Sequence, residues 1–258
     1  MILHPLYSLA GFVVGILVGL TGVGGGSLMT PILVLLFNFH PVAAVGTDLL
    51  YACVTKGVGS LVHGIKGSVD WRIVGWLALG SLPAATASLA LLAAAGPPTA
   101  AVVGPIKVTL GVMLLLTGIV LLGKDRIFRW SRAHGQGRSP GLTRNLTIAL
   151  GMAIGAAVTV TSVGAGAIGA TALLILYPRI PLARIVGTDV AHAVPLTLLA
   201  GVGHWWLGTV DFTLLGSLLF GSVPGIIIGS LLASHVRESV LRPILACILI
   251  FVAGNLIL

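Results

Sequence analysis

Ten apolar runs fill almost the whole chain, at roughly 6–21, 27–39, 43–65, 73–95 and 101–123, then 142–161, 167–178, 185–207, 212–233 and 240–258. A helical bilayer crossing takes about 20 apolar residues, which most of these runs reach. The pairs 6–21/27–39 and 142–161/167–178 are mostly short, and each flanks a glycine cluster. With 57% hydrophobic and 8% charged residues and a mean hydropathy of +1.13, the chain has too little polar surface to coat a soluble domain. It reads as an all-α polytopic integral membrane protein.

The first cluster, GLTGVGGGSLMTPIL at residues 19–33, cannot continue a helix, since glycine costs about 1 kcal/mol against alanine and proline about 3. The expectation is a broken helix or hairpin within the membrane. Such a break exposes backbone N–H groups and the positive end of a helix dipole, which protein, water or a ligand must satisfy. An anion suits that environment. Gly24, Gly25 and Gly26 would let amides approach it, and Ser27 and Thr30 would add hydroxyl donors. Thr161, Ser162, Gly164 and Gly166 would do the same in the second cluster.

The two halves are copies. A constant shift of 141 leaves fourteen of thirty-nine positions identical between Val45–Pro83 and Val186–Pro224, among them Gly46-Thr47-Asp48 with Gly187-Thr188-Asp189 and His63 with His204. Upstream, a shift of 140 places Gly24 and Gly26 on Gly164 and Gly166. The expected organisation is a first membrane repeat at 1–123, a basic linker at 124–141 and a second repeat at 142–258. Each repeat holds a glycine-broken pair and three crossings. If each pair enters and leaves on one side, every repeat crosses an odd number of times, and the copies have inverted topology. Residues 124–144 carry six of the fourteen Lys and Arg, which places them in the cytoplasm. Lys66, Arg72, Arg179, Arg184, Arg237 and Arg242 then also fall inside, and both termini fall outside. One kinked crossing per pair would instead put Arg179, Arg184, Arg237 and Arg242 outside, against the charge bias. Inverted repeats with broken helices meeting near the midplane build secondary transporters.

Lys56 falls near the centre of a crossing, where it is either a substrate-attracting cation or one half of an ion pair with Asp48 or Asp189. Lys107 can snorkel. Asp48 and Asp189 suit a helix N-cap or break as well as a cation or proton site, and with His63 and His204 they are the coupling or gating candidates. His192, which replaces Tyr51 of the first repeat, is a site or gate candidate. Trp71, Trp76, Trp205 and Trp206 fit interfacial belts. Cys53 and Cys247 lie in apolar runs and offer neither a disulfide framework nor a metal cluster. The net charge of +8 follows from topology and does not form a nucleic-acid surface. The N-terminus lacks a basic n-region and reads as the mature first segment. GVGGGS lacks the GK[ST] of a P-loop, so neither ATP nor another cofactor is expected.

GLTGVGGGSLMTPIL with PVAAVGTDLL in the first half, and SVGAGAIGA with PLARIVGTDVAHA in the second, resemble the TauE/SafE sulfite exporter family along essentially the whole chain. The resemblance implies a bacterial inner-membrane exporter of a small anion, sulfite or an organosulfonate such as sulfoacetate. Ala165 and Ala167 depart from the glycine-rich pattern of the first copy, and their methyl groups would narrow a ligand's approach. Other readings are a passive anion channel, a non-transporting sensor or assembly subunit, and an intramembrane hydrolase with Ser162 as nucleophile and His192 or His204 as base.

Overall fold

The computed structural model describes residues 4–21, 26–62, 69–96, 99–134, 139–232 and 238–257. The described residues form α1 (Pro5–Thr21), α2 (Gly26–Leu35), α3 (Pro41–Val62), α4 (Trp71–Ala95), α5 (Ala100–His134), α6 (Pro140–Thr161), α7 (Ala167–Leu176), α8 (Leu182–Trp206), α9 (Phe212–Leu232) and α10 (Glu238–Ile257). Five helices, α4, α5 (over Val103–Ser131), α6, α8 and α9, are long and apolar enough to cross a membrane, and α1, α7 and the latter part of α10 are shorter apolar helices. Large apolar side chains such as Leu79, Leu91, Phe220 and Phe251 stand exposed on the outer surface, as lipid contact requires.

The helix starts are chemically marked. Asp70 Oδ1 accepts from the N–H groups of Arg72 and Ile73 at the start of α4, and Asp211 Oδ1 accepts from Thr213 and Leu214 at the start of α9. Asp48 and Asp189, for which an N-cap was one expectation, lie inside α3 and α8, so that role belongs to Asp70 and Asp211. Helix α5 also runs on to His134 through the first part of the basic stretch. That extension is anchored: Ser131 Oγ donates to Leu174 O at 2.8 Å, and Phe128 packs in a cluster with Tyr177, Ile180 and Leu182.

Both glycine-interrupted pairs are hairpins. At the start of α1 the Tyr7 ring meets Phe37 and Phe39, just beyond α2, at centroid separations of 5.0 and 5.6 Å. At the start of α6 the Thr147 hydroxyl lies 2.7 Å from the Tyr177 hydroxyl, just beyond α7. In each pair the chain therefore returns to the end from which it left. The short arms α2 and α7 have ten residues each, about 15 Å of helix, or roughly half the hydrocarbon thickness.

Equivalent parts of the two halves pack reciprocally. The Asp211 N–H donates to Thr47 Oγ1 at 3.0 Å, and the Asp70 N–H donates to Thr188 Oγ1 at 2.9 Å. The beginning of α3 thus meets the end of α8 and the reverse, so these equivalent helices run antiparallel. Helices α1 and α9 run parallel, with Cβ positions at Gly11, Gly15 and Gly19 falling 2.2, 2.5 and 2.5 Å from the carbonyl oxygens of Leu218, Ser222 and Ile226. The matching pair, α4 and α6, uses Gly80, Gly151 and Gly155 against Ile148, Leu77 and Ser81 in the same manner. This is close backbone packing through small residues spaced four apart. Tyr51 on α3 faces Ser222 on α9, beyond the Thr47–Asp211 contact, so α3 also runs parallel to α9 and hence to α1. Helix α2 carries the chain back between them.

A stability prediction arises here. A Cβ on Gly221 would fall 1.8 Å from Ser8 O, whereas one on Gly75 meets nothing within 4 Å. Gly221→Ala is expected to destabilise the folded protein by about 1–3 kcal/mol through overpacking, while Gly75→Ala should be neutral or stabilising by up to about 1 kcal/mol. Thermal unfolding in detergent compares them, and equal melting temperatures would remove the packing account.

Candidate functional site

Hairpin α6–α7 turns through a tip whose geometry follows from its residues. Ser162 adopts φ 60° at the end of α6, and Gly164 and Gly166 have φ 129° and 125°, a left-handed region where a side chain is strained. Its Thr161 hydroxyl donates to Ala157 O at 2.7 Å and accepts from the Val163 N–H at 3.1 Å, which commits it to the turn. Of the residues expected at the other tip, Gly24, Gly25 and the Ser27 side chain lie outside the described residues, and so does the coupling candidate His63. Gly26 opens α2.

Behind the second tip lies a charged cluster. Asp48, Lys56, Asp189 and His192 are all buried, with Lys56 only 7% exposed. The Thr30 hydroxyl donates to Asp48 Oδ2. The Ser162 hydroxyl faces the same carboxylate, yet Ser162 Oγ and Asp48 Oδ1 complete no hydrogen bond. Two turns further along α3, Lys56 Nζ donates to Ala165 O at the second tip at 3.4 Å. Its ammonium is within electrostatic reach of both Asp189 and Asp48. Both carboxylates named as its alternatives therefore lie in the same buried cluster.

Asp189 occupies the beginning of α7. Its carboxylate faces the Gly166 N–H, and its Oδ1 lies 2.2 Å from where a Cβ on Gly169 would stand. Only glycine at 169 leaves room for it. His192 Nε2 lies 2.7 Å from the Ser81 hydroxyl, while His192 Nδ1 and Asp189 Oδ1 have no hydrogen-bond partner. The mate of His192–Ser81 under the repeat is Tyr51 facing Ser222. Ser81 is thus a cluster residue that the sequence reading missed, although its identity with Ser222 across the repeat was a usable signal.

The remaining candidates separate from this cluster. His204 Nδ1 lies 2.9 Å from Thr209 Oγ1 and its Nε2 lies 3.0 Å from Thr159 O, so it ties the end of α8 to α6. Lys107 is exposed on α5. His192 pairs with Ser81, not with Ser162, and no serine–histidine pair of the hydrolase alternative forms at the tip. Among the described residues no three His, Cys, Asp or Glu side chains converge as a metal site would require. An apolar groove of about 470 Å³ between α2 and α10, lined by Leu28, Ile32, Phe251 and Val252 among others, is separate from the charged residues.

Membrane helices closing two hairpins on a buried lysine and two buried carboxylates define a polytopic membrane protein with a polar centre, the architecture of a transporter. The chain belongs to the sulfite exporter TauE/SafE family, whose profile matches residues 7–256. It is 37% identical over 248 residues to the probable membrane transporter protein YjnA of Bacillus subtilis (strain 168), covering 94% of this chain and 95% of that one. It is also 26% identical over 241 residues to the probable membrane transporter protein YdhB of the same organism, covering 90% and 91%. A shorter stretch of 60 residues, 23% of this chain and 22% of the relative, is 50% identical to the probable membrane transporter protein YunE, again from Bacillus subtilis (strain 168). No solved structure matches the chain.

Proposed function

We propose that this membrane transporter exports a small sulfur-containing anion, sulfite or an organosulfonate such as sulfoacetate, across the bacterial inner membrane by alternating access. The observation that carries the reading is the buried Lys56 ammonium reaching the second hairpin tip at Ala165 O. A buried cation beside a helix start offers an anion both charge and amide donors. Ser162 and His192 add buried polar atoms without partners, Ser162 Oγ and His192 Nδ1. The sulfur oxyanion itself comes from the family, whose description names sulfite export.

Alternating access is supported by the antiparallel packing of equivalent helices, because two inverted halves can exchange conformations and open the site to either side in turn. The ends of the bundle support the orientation. Arg242 pairs with Asp125 at 3.1 Å, Ser131 meets the end of α7, and Asp70 meets the start of α8. These contacts gather Arg72, Arg179, Arg184 and Arg242 at one end, which the positive-inside bias makes cytoplasmic.

Orientation is tested by single cysteines in a Cys53→Ser/Cys247→Ser background. Thr99→Cys is expected to react with an impermeant thiol reagent added outside intact cells, and His235→Cys only after the membrane is opened. External labelling of residue 235 would overturn the topology. Function is tested by sulfite and sulfoacetate fluxes in proteoliposomes of the purified protein. Saturable counterflow is expected of a carrier, and non-saturating equilibration without counterflow of a channel.

A further inference from the structure

The donors that an incoming anion needs already face the protein's own acceptors. The Gly166 N–H faces the Asp189 carboxylate, whose Oδ1 sits at the start of α7 beside Gly169, and the Lys56 ammonium lies within reach of Asp189 and Asp48. The Thr30 hydroxyl is given to Asp48. An external anion at the second tip therefore competes with a resident one.

The two carboxylates are not equivalent competitors. Asp48 keeps the Thr30 hydroxyl, a donor on α2, although the Ser162 hydroxyl of the second tip also faces it. Asp189 faces the Gly166 amide and the Lys56 ammonium, the same groups the anion would use. Displaced, its carboxylate faces Gly169 and the Ile154 side chain, where an unpaired charge is expensive. The other titratable groups around it are few. Helix α3 supplies Asp48, Tyr51, Cys53 and Lys56, and α8 supplies His192. Helix α7 has none, and the titratable side chains of α4 and α6, Arg72 and Arg144, sit within the first five residues of those helices. With both aspartates ionised, Lys56 leaves the cluster with a net negative charge, and a bound anion deepens it.

We infer that Asp189 is a proton site coupled to the anion: the anion takes the Lys56 ammonium and the Gly166 amide, and Asp189 is released from them by taking up a proton. The inference rests on the transport reading above and names its coupling. The loaded protein carries anion and proton together in the same direction. The empty protein returns with Asp189 deprotonated and paired to Lys56. No covalent bond changes, and the proton comes from the aqueous side to which the site is open.

The sign follows directly. The bound form holds one more proton than the free form, so anion affinity rises as pH falls, by about tenfold per unit where Asp189 is otherwise ionised. Sulfoacetate is the probe, because both of its acidic groups stay ionised above about pH 6. Purified protein is titrated with sulfoacetate between about pH 6.5 and 8, with affinity read from thermal stabilisation and proton uptake from a dye in weakly buffered solution. Wild type is expected to take up about one proton per anion. Asp189→Asn should bind sulfoacetate more tightly at the alkaline end, with little pH dependence and proton uptake close to zero, whereas Asp48→Asn should keep the uptake. Wild-type binding without proton uptake overturns the coupling while leaving the transport reading intact, and it needs no variant to fold. Undiminished uptake by Asp189→Asn overturns the assignment to Asp189. Stabilisation by neither sulfoacetate nor sulfite at any pH overturns the transport reading itself, and the coupling with it.

Discussion

Lys56→Ala is expected to lower transport of sulfite or sulfoacetate at subsaturating concentration by about a hundredfold or more, with Lys107→Ala close to wild type. Lys56 is buried among two carboxylates and the second hairpin tip, whereas Lys107 is exposed on α5. Removing one partner of a buried charged group costs about 3–5 kcal/mol, and each 1.4 kcal/mol is about tenfold. The same number bears on folding, because two carboxylates are left without their cation. Asp189→Asn in the Lys56→Ala background removes one of those charges. It is expected to restore folded yield without restoring transport. Lys56→Arg should rescue poorly, since a planar guanidinium does not fit the place of a compact ammonium held at Ala165 O. Near wild-type flux in well-folded Lys56→Ala would take Lys56 out of the site.

The second large effect is expected at Gly169. A methyl group there would stand 2.2 Å from Asp189 Oδ1, so Gly169→Ala must push the carboxylate off the start of α7. The variant should lose most of its transport and about 1–3 kcal/mol of stability. A merely steric defect and a displaced Asp189 differ in one respect: only the second flattens the pH dependence of sulfoacetate binding. Gly254→Ala on α10, where a Cβ meets nothing within 4 Å, serves as the control. Gly169→Ala with normal flux and an unchanged pH profile would show that the Asp189 position does not govern the site.

Much of this architecture was legible in the sequence because the bilayer allows so few solutions. The glycine runs between short apolar segments announced hairpins, and the charge bias chose a returning pair over one kinked crossing. Tyr7 against Phe37 and Thr147 against Tyr177 are the contacts that close those hairpins. Lys56 was legible as a central charge. What stayed hidden was partner choice. Gly11, Gly15 and Gly19, like Gly221, Gly225 and Gly229, recur every four residues, but spacing marks a packing face without naming the helix it meets. The end of α5 was hidden for another reason: hydropathy sees only lipid-facing helix, and Lys124–His134 is a polar extension held by Phe128 and Ser131.

At the site, sequence supplied the residue types and geometry supplied their employment. The hydroxyls of Thr30 and Thr161 and the amide of Gly166 were expected to face an anion; here the two hydroxyls serve Asp48 and the turn, and the amide faces Asp189. No periodicity reveals that a carboxylate on α8 ends at the start of α7. The duplication did carry a signal for the Ser81 and Ser222 layer, because two serines at equivalent helix positions face His192 and Tyr51 across the repeat.

The most direct measurement of the central claim is counterflow of labelled sulfoacetate into proteoliposomes loaded with the unlabelled anion, comparing wild type with Lys56→Ala. A carrier with its site at Lys56 transiently accumulates label above its equilibrium level in wild type and loses that overshoot in the variant. Label that only equilibrates in wild type, or an overshoot that survives Lys56→Ala unchanged, would contradict it.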